Sequence, residues 1–351
     1  METQLTLKNL LKAYTVEGEL YERLEANKLR CYACGHRCVI LPGLDGICRV
    51  RYNEAGRLMV PAGYVGAIQC DPTEKKPFFH AYPGSLALTF GMLGCDLHCA
   101  YCQNWVTSQA LRDPQAVAPP RRITPEEIVR AAKRAAARLV VSSYNEPLIT
   151  SEWAIEVFKC AKSAGLVCGY VSNGNATPEV LDYIRPWADL YKIDLKTFDD
   201  RSYRKLGGVL QNILDTVKMV HERGFWLEIV TLLIPGFNDS VDELTAMADF
   251  IAGVSPEIPW HVTAFHKDYK MTGPDNTTIE SLIAAAQIGR EAGLKFVYAG
   301  NIPGRVGGHE NTRCPNCEAD LIQRHGFHIL NNRMRGAACP DCNAIIPGRF
   351  N

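Results

Sequence analysis

Between residues 85 and 300, short apolar runs alternate with longer stretches whose apolar positions recur at helical spacing, the pattern of repeated βα units and a parallel sheet. The runs predict strands at 85–91, 138–144, 166–172, 190–196, 226–234 and 260–266, and a candidate seventh, LKFVYAG at 294–300, follows the last helix. Helix starts are marked by Thr124-Pro125-Glu126-Glu127, Thr177-Pro178-Glu179 and Ser240-Val241-Asp242-Glu243, and helix stops by Gly165, Gly224 and Gly293. The expected fold class is therefore α/β, a partial (β/α)6-type barrel over 85–300 with small Cys-rich extensions at 1–84 and 301–351.

In such barrels chemistry sits where strands end and loops begin, at one face. Those positions carry Gly91-Met92-Leu93-Gly94-Cys95, Ser143-Tyr144-Asn145-Glu146-Pro147, Ser172-Asn173-Gly174-Asn175, Asp194-Leu195-Lys196, Pro235-Gly236-Phe237-Asn238-Asp239 and His266-Lys267. Polar residues and glycines there serve ordinary turns equally well, so position alone does not assign them.

Charge and composition narrow the class. Lys+Arg and Asp+Glu both number 38, which argues against the broad basic face that nucleic acid binding needs. No run of about 18 apolar residues occurs, and METQLTLKNLLKAY lacks the basic segment and apolar stretch of a leader, so a soluble, cytoplasmic protein is expected.

Fourteen cysteines are many for such a chain, and they cluster. Cys160, Cys168 and Cys70 stand alone and are given no chemistry, the first two lying in apolar helical and strand stretches. Cys314-Pro-Asn-Cys317 and Cys339-Pro-Asp-Cys342 form two knuckles, a spacing suited to one tetrahedral zinc, with an iron-sulfur cluster as the alternative. Cys31, Cys34, Cys38 and Cys48 also have ligand spacing; they accept zinc, which would tie the segment down and is expected, or a second cluster, which would make an electron relay. Asp71 to His80 is charged and aromatic and lies just before the first strand, where Lys75, Lys76 and His80 are candidate contacts for an anionic substrate group if the segment covers the barrel mouth.

The third group, Cys95-x3-Cys99-x2-Cys102, follows the first strand on a glycine-containing loop. A structural zinc normally takes four protein ligands, whereas three thiolates on a four-iron cluster leave one iron open. GCDLHCAYCQN resembles the CxxxCxxC signature of radical S-adenosylmethionine (SAM) enzymes. That resemblance implies a [4Fe-4S] cluster held by Cys95, Cys99 and Cys102, with SAM on the open iron, reductive cleavage to a 5′-deoxyadenosyl radical, and hydrogen abstraction from a substrate. It implies SAM contacts at Tyr101, Glu146, Asp194, Lys196 and His266, with Ser172 and Asn173 lining the same pocket.

Across nearly the whole chain, the N-terminal cysteines, DPxEKKP, GCxxxCxxCQNW, SYNEP, LIPGFND and the terminal knuckles together resemble the radical SAM member of the AmmeMemoRadiSam system, related to pyruvate formate-lyase activating enzymes. The resemblance implies an electron donor of the flavodoxin or ferredoxin type and neighbours similar to AMMECR and Memo proteins. No cysteine occurs between Cys102 and Cys160, so the ferredoxin-like insertion of many activases is absent. The substrate is then a metabolite or a glycine on a partner protein; the rival from another class is a non-catalytic zinc protein that binds through its ribbon.

Overall fold

The computed structural model describes residues 6–350. Eight strands make the central sheet: β1 (Ala67–Pro72), β2 (Leu86–Gly91), β3 (Leu139–Ser142), β4 (Val167–Ser172), β5 (Leu190–Asp194), β6 (Trp226–Leu233), β7 (Trp260–Ala264) and β8 (Val297–Gly300). They lie side by side in chain order, β2 to β8 parallel and β1 antiparallel on the edge, and the sheet stays open because β1 and β8 do not pair. All seven expected strands form, each within its anticipated bounds. Strand β1 was not foreseen, because AIQCDP is short and weakly apolar and takes its place through pairing with β2.

Helices α1 (Pro125–Arg134), α2 (Ser151–Ser163), α3 (Pro178–Ile184), α4 (Asp200–Leu206), α5 (Leu210–Glu222), α6 (Val241–Val254) and α7 (Ile279–Glu291) connect the strands. The expected starts are real caps: Thr124, Thr177 and Ser240 accept from the backbone N–H of Glu127, Val180 and Glu243, and Glu127 completes a capping box. Gly165, Gly224 and Gly293 end helices in the left-handed region that favours glycine.

Alternation along the strands divides the concave face in two. Toward the strand starts, Ala87, Leu139, Val141 and Leu190 pack on Phe78 and Ala81, which plug that end. Toward the strand ends the same faces turn polar: Lys192 and Asp194 follow Leu190 in β5, and Glu228 follows Trp226 in β6. Those inward polar groups are where a site can form.

The extensions fold against the sheet. The N-terminal segment carries short antiparallel strands at Tyr21–Arg23, Leu29–Cys31 and Val39–Ile40 and is anchored by Arg51, whose fully buried guanidinium makes two 2.7 Å contacts to Glu152 of α2. The C-terminal segment carries strands at Thr312–Arg313, Asp320–His325 and His328–Asn332, held by Arg324 against the segment before β2. No helix among the described residues is long and apolar enough to cross a membrane.

Candidate cofactor site

Strand β2 delivers the three-cysteine loop. A Cβ at Gly91 would stand 2.2 Å from the Ser143 carbonyl oxygen, so only glycine lets the strand end pass the β3 loop. Gly94, at φ +94°, then turns the chain into Cys95. The loop is held by donors aimed at its carbonyls: Arg112 Nη1 reaches Cys95 O at 2.8 Å and Gln109 Nε2 reaches Leu97 O at 3.2 Å. The Cys95 sulfur receives Leu97 N–H at 3.4 Å, and Cys102 Sγ lies 3.2 Å from Ser108 Oγ. Burial pushes all three thiols up, Cys99 to about 11, so their charged form needs a cation to pair with.

Cys99, Tyr101 and Cys102 open onto a cavity of about 420 Å3, within the range of small-ligand sites. Across it stand Lys192, Asp194 and Lys196. Asp194 pairs with Lys192 and, at 3.4 Å, with Lys196. Burial disfavours the Asp194 carboxylate, but the two ammonium groups outweigh it and hold it below the usual range. Burial likewise opposes the Lys196 charge, and Asp194 with Cys99 more than restores it. The remaining wall includes Lys76 and Phe79 from the segment before β2, Tyr144 from the β3 loop, and Phe327 from the C-terminal hairpin. Lys76 Nζ sits between Asp71 Oδ2 at 3.1 Å and the Tyr144 hydroxyl at 3.0 Å.

Other residues singled out from the sequence lie just outside this cavity. Glu146 is buried, with Oε1 accepting from Ser172 Oγ at 2.7 Å and Oε2 from Asn173 N at 2.8 Å; burial and Asp96 push its carboxyl up to about 8. Asn173 Nδ2 donates to Asp96 Oδ1 at 2.7 Å, next to Cys95. These groups therefore brace the loop from behind. His266 is exposed and lies 3.1 Å from Gln103, which does border the cavity. His80 departs from expectation: it is buried below the site, its ring nitrogens taken by Pro347 O and the Tyr298 hydroxyl, and it offers nothing to a substrate.

The outer cysteine groups differ from each other. Cys314, Cys317, Cys339 and Cys342 bring their sulfurs within 4.8 Å of one another, with Cys314 3.5 Å from Cys342 and Cys317 3.7 Å from Cys339. Cys31, Cys34 and Cys48 are buried and Cys38 is partly so, but no three sulfurs of this group, nor those of Cys95, Cys99 and Cys102, converge to that degree.

Comparison with known proteins accords with this geometry. The family model described as the Radical SAM superfamily matches residues 90–251, which run from β2 through α6. The uncharacterized protein MJ0808 of Methanocaldococcus jannaschii is 37% identical over 334 residues, 94% of this chain and 98% of that protein. The chain carries a radical SAM domain. It is also similar to the pyruvate formate-lyase 1-activating enzyme of Escherichia coli K12, at 24% identity over 236 residues, 62% of this chain and 93% of that enzyme. A radical SAM methyltransferase from Sphaerobacter thermophilus aligns at 17% identity and a TM-score of 0.49 over 65% of this chain and 70% of that one.

As a radical SAM protein the chain is an enzyme, and the superfamily implies a [4Fe-4S] cluster and SAM. The donor set fits both. Three thiols stand on one loop, spread wider than a lone tetrahedral ion takes, and two of them, Cys99 and Cys102, face a paired ammonium and carboxylate across a cavity of ligand size. The sequence did not single out Lys192 and His261, which line the cavity, Glu228, whose carboxylate stands 2.7 Å from His261 Nε2, or Asp96. The first three each interrupt an apolar strand with a charge or imidazole, a readable signal; Asp96 carried none, because its partners Asn173 and Asn175 are some eighty positions away.

Proposed function

We propose that this enzyme cleaves SAM reductively at a cluster held by Cys95, Cys99 and Cys102 and abstracts hydrogen from a substrate seated in the same cavity. The observation that carries the reading is that Cys99 and Cys102 share one cavity with the Asp194–Lys196 pair. When bound, the cofactor pair supplies the electron and the adenosyl radical that takes the hydrogen. The chain's own residues bind and orient. Lys196 meets a carboxylate and Asp194 an ammonium, the two charged groups on the α-carbon of the methionyl part of SAM. Tyr101, packed edge-on against Phe237 at 5.8 Å, gives an apolar wall for adenine. Glu146, Ser172 and Asn173 position the loop, His266 orients Gln103, and the segment from Lys76 to Phe79 with Phe327 keeps water from the radical.

The C-terminal cysteines suit zinc, since Zn–S bonds of about 2.3 Å in a tetrahedron place sulfurs about 3.8 Å apart. The motif set supports an enzyme of the AmmeMemoRadiSam type, with AMMECR-like and Memo-like proteins as candidate partners and a flavodoxin or ferredoxin as candidate electron donor.

Anaerobically reconstituted protein given dithionite and SAM is expected to form 5′-deoxyadenosine, and the Cys99→Ala protein none; equal product from both refutes the reading. A second reading, glycyl-radical formation on a partner protein, is favoured by the similarity to the Escherichia coli activating enzyme. An electron paramagnetic resonance doublet on a separate polypeptide supports it, and consumption of a metabolite alone rejects it.

A further inference from the structure

We propose that Cys31, Cys34, Cys38 and Cys48 hold a second iron-sulfur cluster, an electron relay to the SAM site, and not a structural zinc; the relay role rests on the function proposed above. Three cysteine groups in one molecule allow an internal comparison. The C-terminal four converge to the separations of ligands on one tetrahedral ion, about 3.8 Å. The N-terminal four do not, and in this they match the Cys95 loop. Ligands of a cubane each bind a different iron, so their sulfurs stand farther apart than around a single ion.

The N-terminal group is nevertheless one site. Cys31 lies across a hairpin from Cys38, Cys31 N donating to Cys38 O at 3.0 Å, and a turn closed by Arg37 N donating to Cys34 O at 3.1 Å carries the chain from Cys34 back to Cys38. Gly46, two positions before Cys48, lies beside Cys38, a Cβ there standing 3.7 Å from Cys38 Sγ. Arg51, 1% exposed, stands next to Cys31 and Cys48 with its Nε–H unpartnered, a buried cationic donor available to a sulfur-rich dianion. Cys38 is partly exposed, so the outer edge of the site reaches solvent.

Its inner edge touches the radical loop at several points. Cys48 O would lie 3.2 Å from a Cβ on Gly94. Arg112 spans from Cys95 O at 2.8 Å to Ile47 O at 2.7 Å. Asn175 O accepts from Gly35 N at 2.8 Å while its Nδ2 donates to Asp96 Oδ2 at 2.8 Å, and His36 Nε2 stands 3.8 Å from the same oxygen. These contacts set the group directly beside Cys95, the closeness that electron transfer to the loop site requires. The step is one electron with no bond made or broken: a low-potential carrier protein of the ferredoxin or flavodoxin class is oxidised, the N-terminal cluster is reduced, and it returns to its oxidised state as the electron moves to the loop site.

Metal and sulfide analysis of the anaerobically reconstituted full chain is expected to find about eight irons and one zinc, two cubanes and one knuckle site. The C95A/C99A/C102A protein is expected to keep about half the iron and the signal of a reduced cubane, without any response to SAM. About four irons and two zincs in the wild type, with no iron in that variant, overturn the second cluster and leave the proposed function standing. Full wild-type iron retained in that variant refutes the proposed function and leaves the N-terminal cluster standing. The C31S/C34S protein is expected to lose half the iron and to form 5′-deoxyadenosine at least tenfold more slowly with a carrier protein, while dithionite, small enough to reach the loop site directly, restores the rate. An equal slowing with both donors overturns the relay.

Discussion

Arg324 grips Phe79: its Nη2 donates to the Phe79 carbonyl at 2.9 Å while the guanidinium carbon lies 4.2 Å from the centre of the Phe79 ring. One side chain of the C-terminal segment thus fixes a residue of the cavity wall. The same guanidinium stands 3.6 Å from the fully buried carboxylate of Glu74, so the two charges depend on each other.

Replacing Arg324 with Met strands Glu74 without a partner in a site that excludes water. A loss of about 3–5 kcal/mol in unfolding free energy is expected, read by urea titration followed through tryptophan fluorescence. The double change Arg324→Met with Glu74→Gln should recover part of that loss, because no lone charge remains buried. A single variant as stable as the wild type would show that Glu74 is neutral in the folded protein.

Acid should loosen the same junction. Burial lowers His80 to about 4, so the folded state holds the neutral ring while the unfolded chain protonates near 6.5. The contribution is complete above about pH 6.5 and is lost as pH falls toward 4, amounting to about 3 kcal/mol. Stability measured in steps across that window should decline, and the His80→Gln protein should decline less. Matching slopes in the two proteins would mean His80 is not the group responsible.

Lys196 and Lys192 both pair with Asp194, but Lys196 alone comes from the strand end beside the cysteines and is paired there at 3.4 Å. Losing one charge-assisted contact of about 1.5–3 kcal/mol raises the SAM dissociation constant about 10- to 150-fold in Lys196→Met. Isothermal titration of reconstituted protein with SAM checks this. Unaltered affinity would move the carboxylate contact elsewhere in the cavity.

Gly91→Ala tests the close approach under the radical loop. Its Cβ has no space beside the Ser143 carbonyl, and backbone cannot yield as a flexible side chain does. Destabilisation of about 1–3 kcal/mol is expected together with reduced iron incorporation, measured by calorimetry and colorimetric iron assay. An alanine protein with full iron content would show that the β3 loop shifts freely.

Local rules carried the sequence a long way. Short apolar runs marked every parallel strand, Thr124, Thr177 and Ser240 cap the helices they were read to start, and the cysteine spacings marked three groups, because each feature is set by residues near one another in the chain. What tertiary structure alone decided is which groups meet across distance. Glu146 turned out to brace Asn173, His80 to pack beneath the site, and edge strand β1 to exist through β2. Lys192, Asp194 and Lys196 share one face of β5 and its end by simple alternation, but they stand opposite Cys99 because a twisted parallel sheet turns the inward side chains of separate strands onto a shared hollow, where low dielectric makes each charge depend on its neighbour.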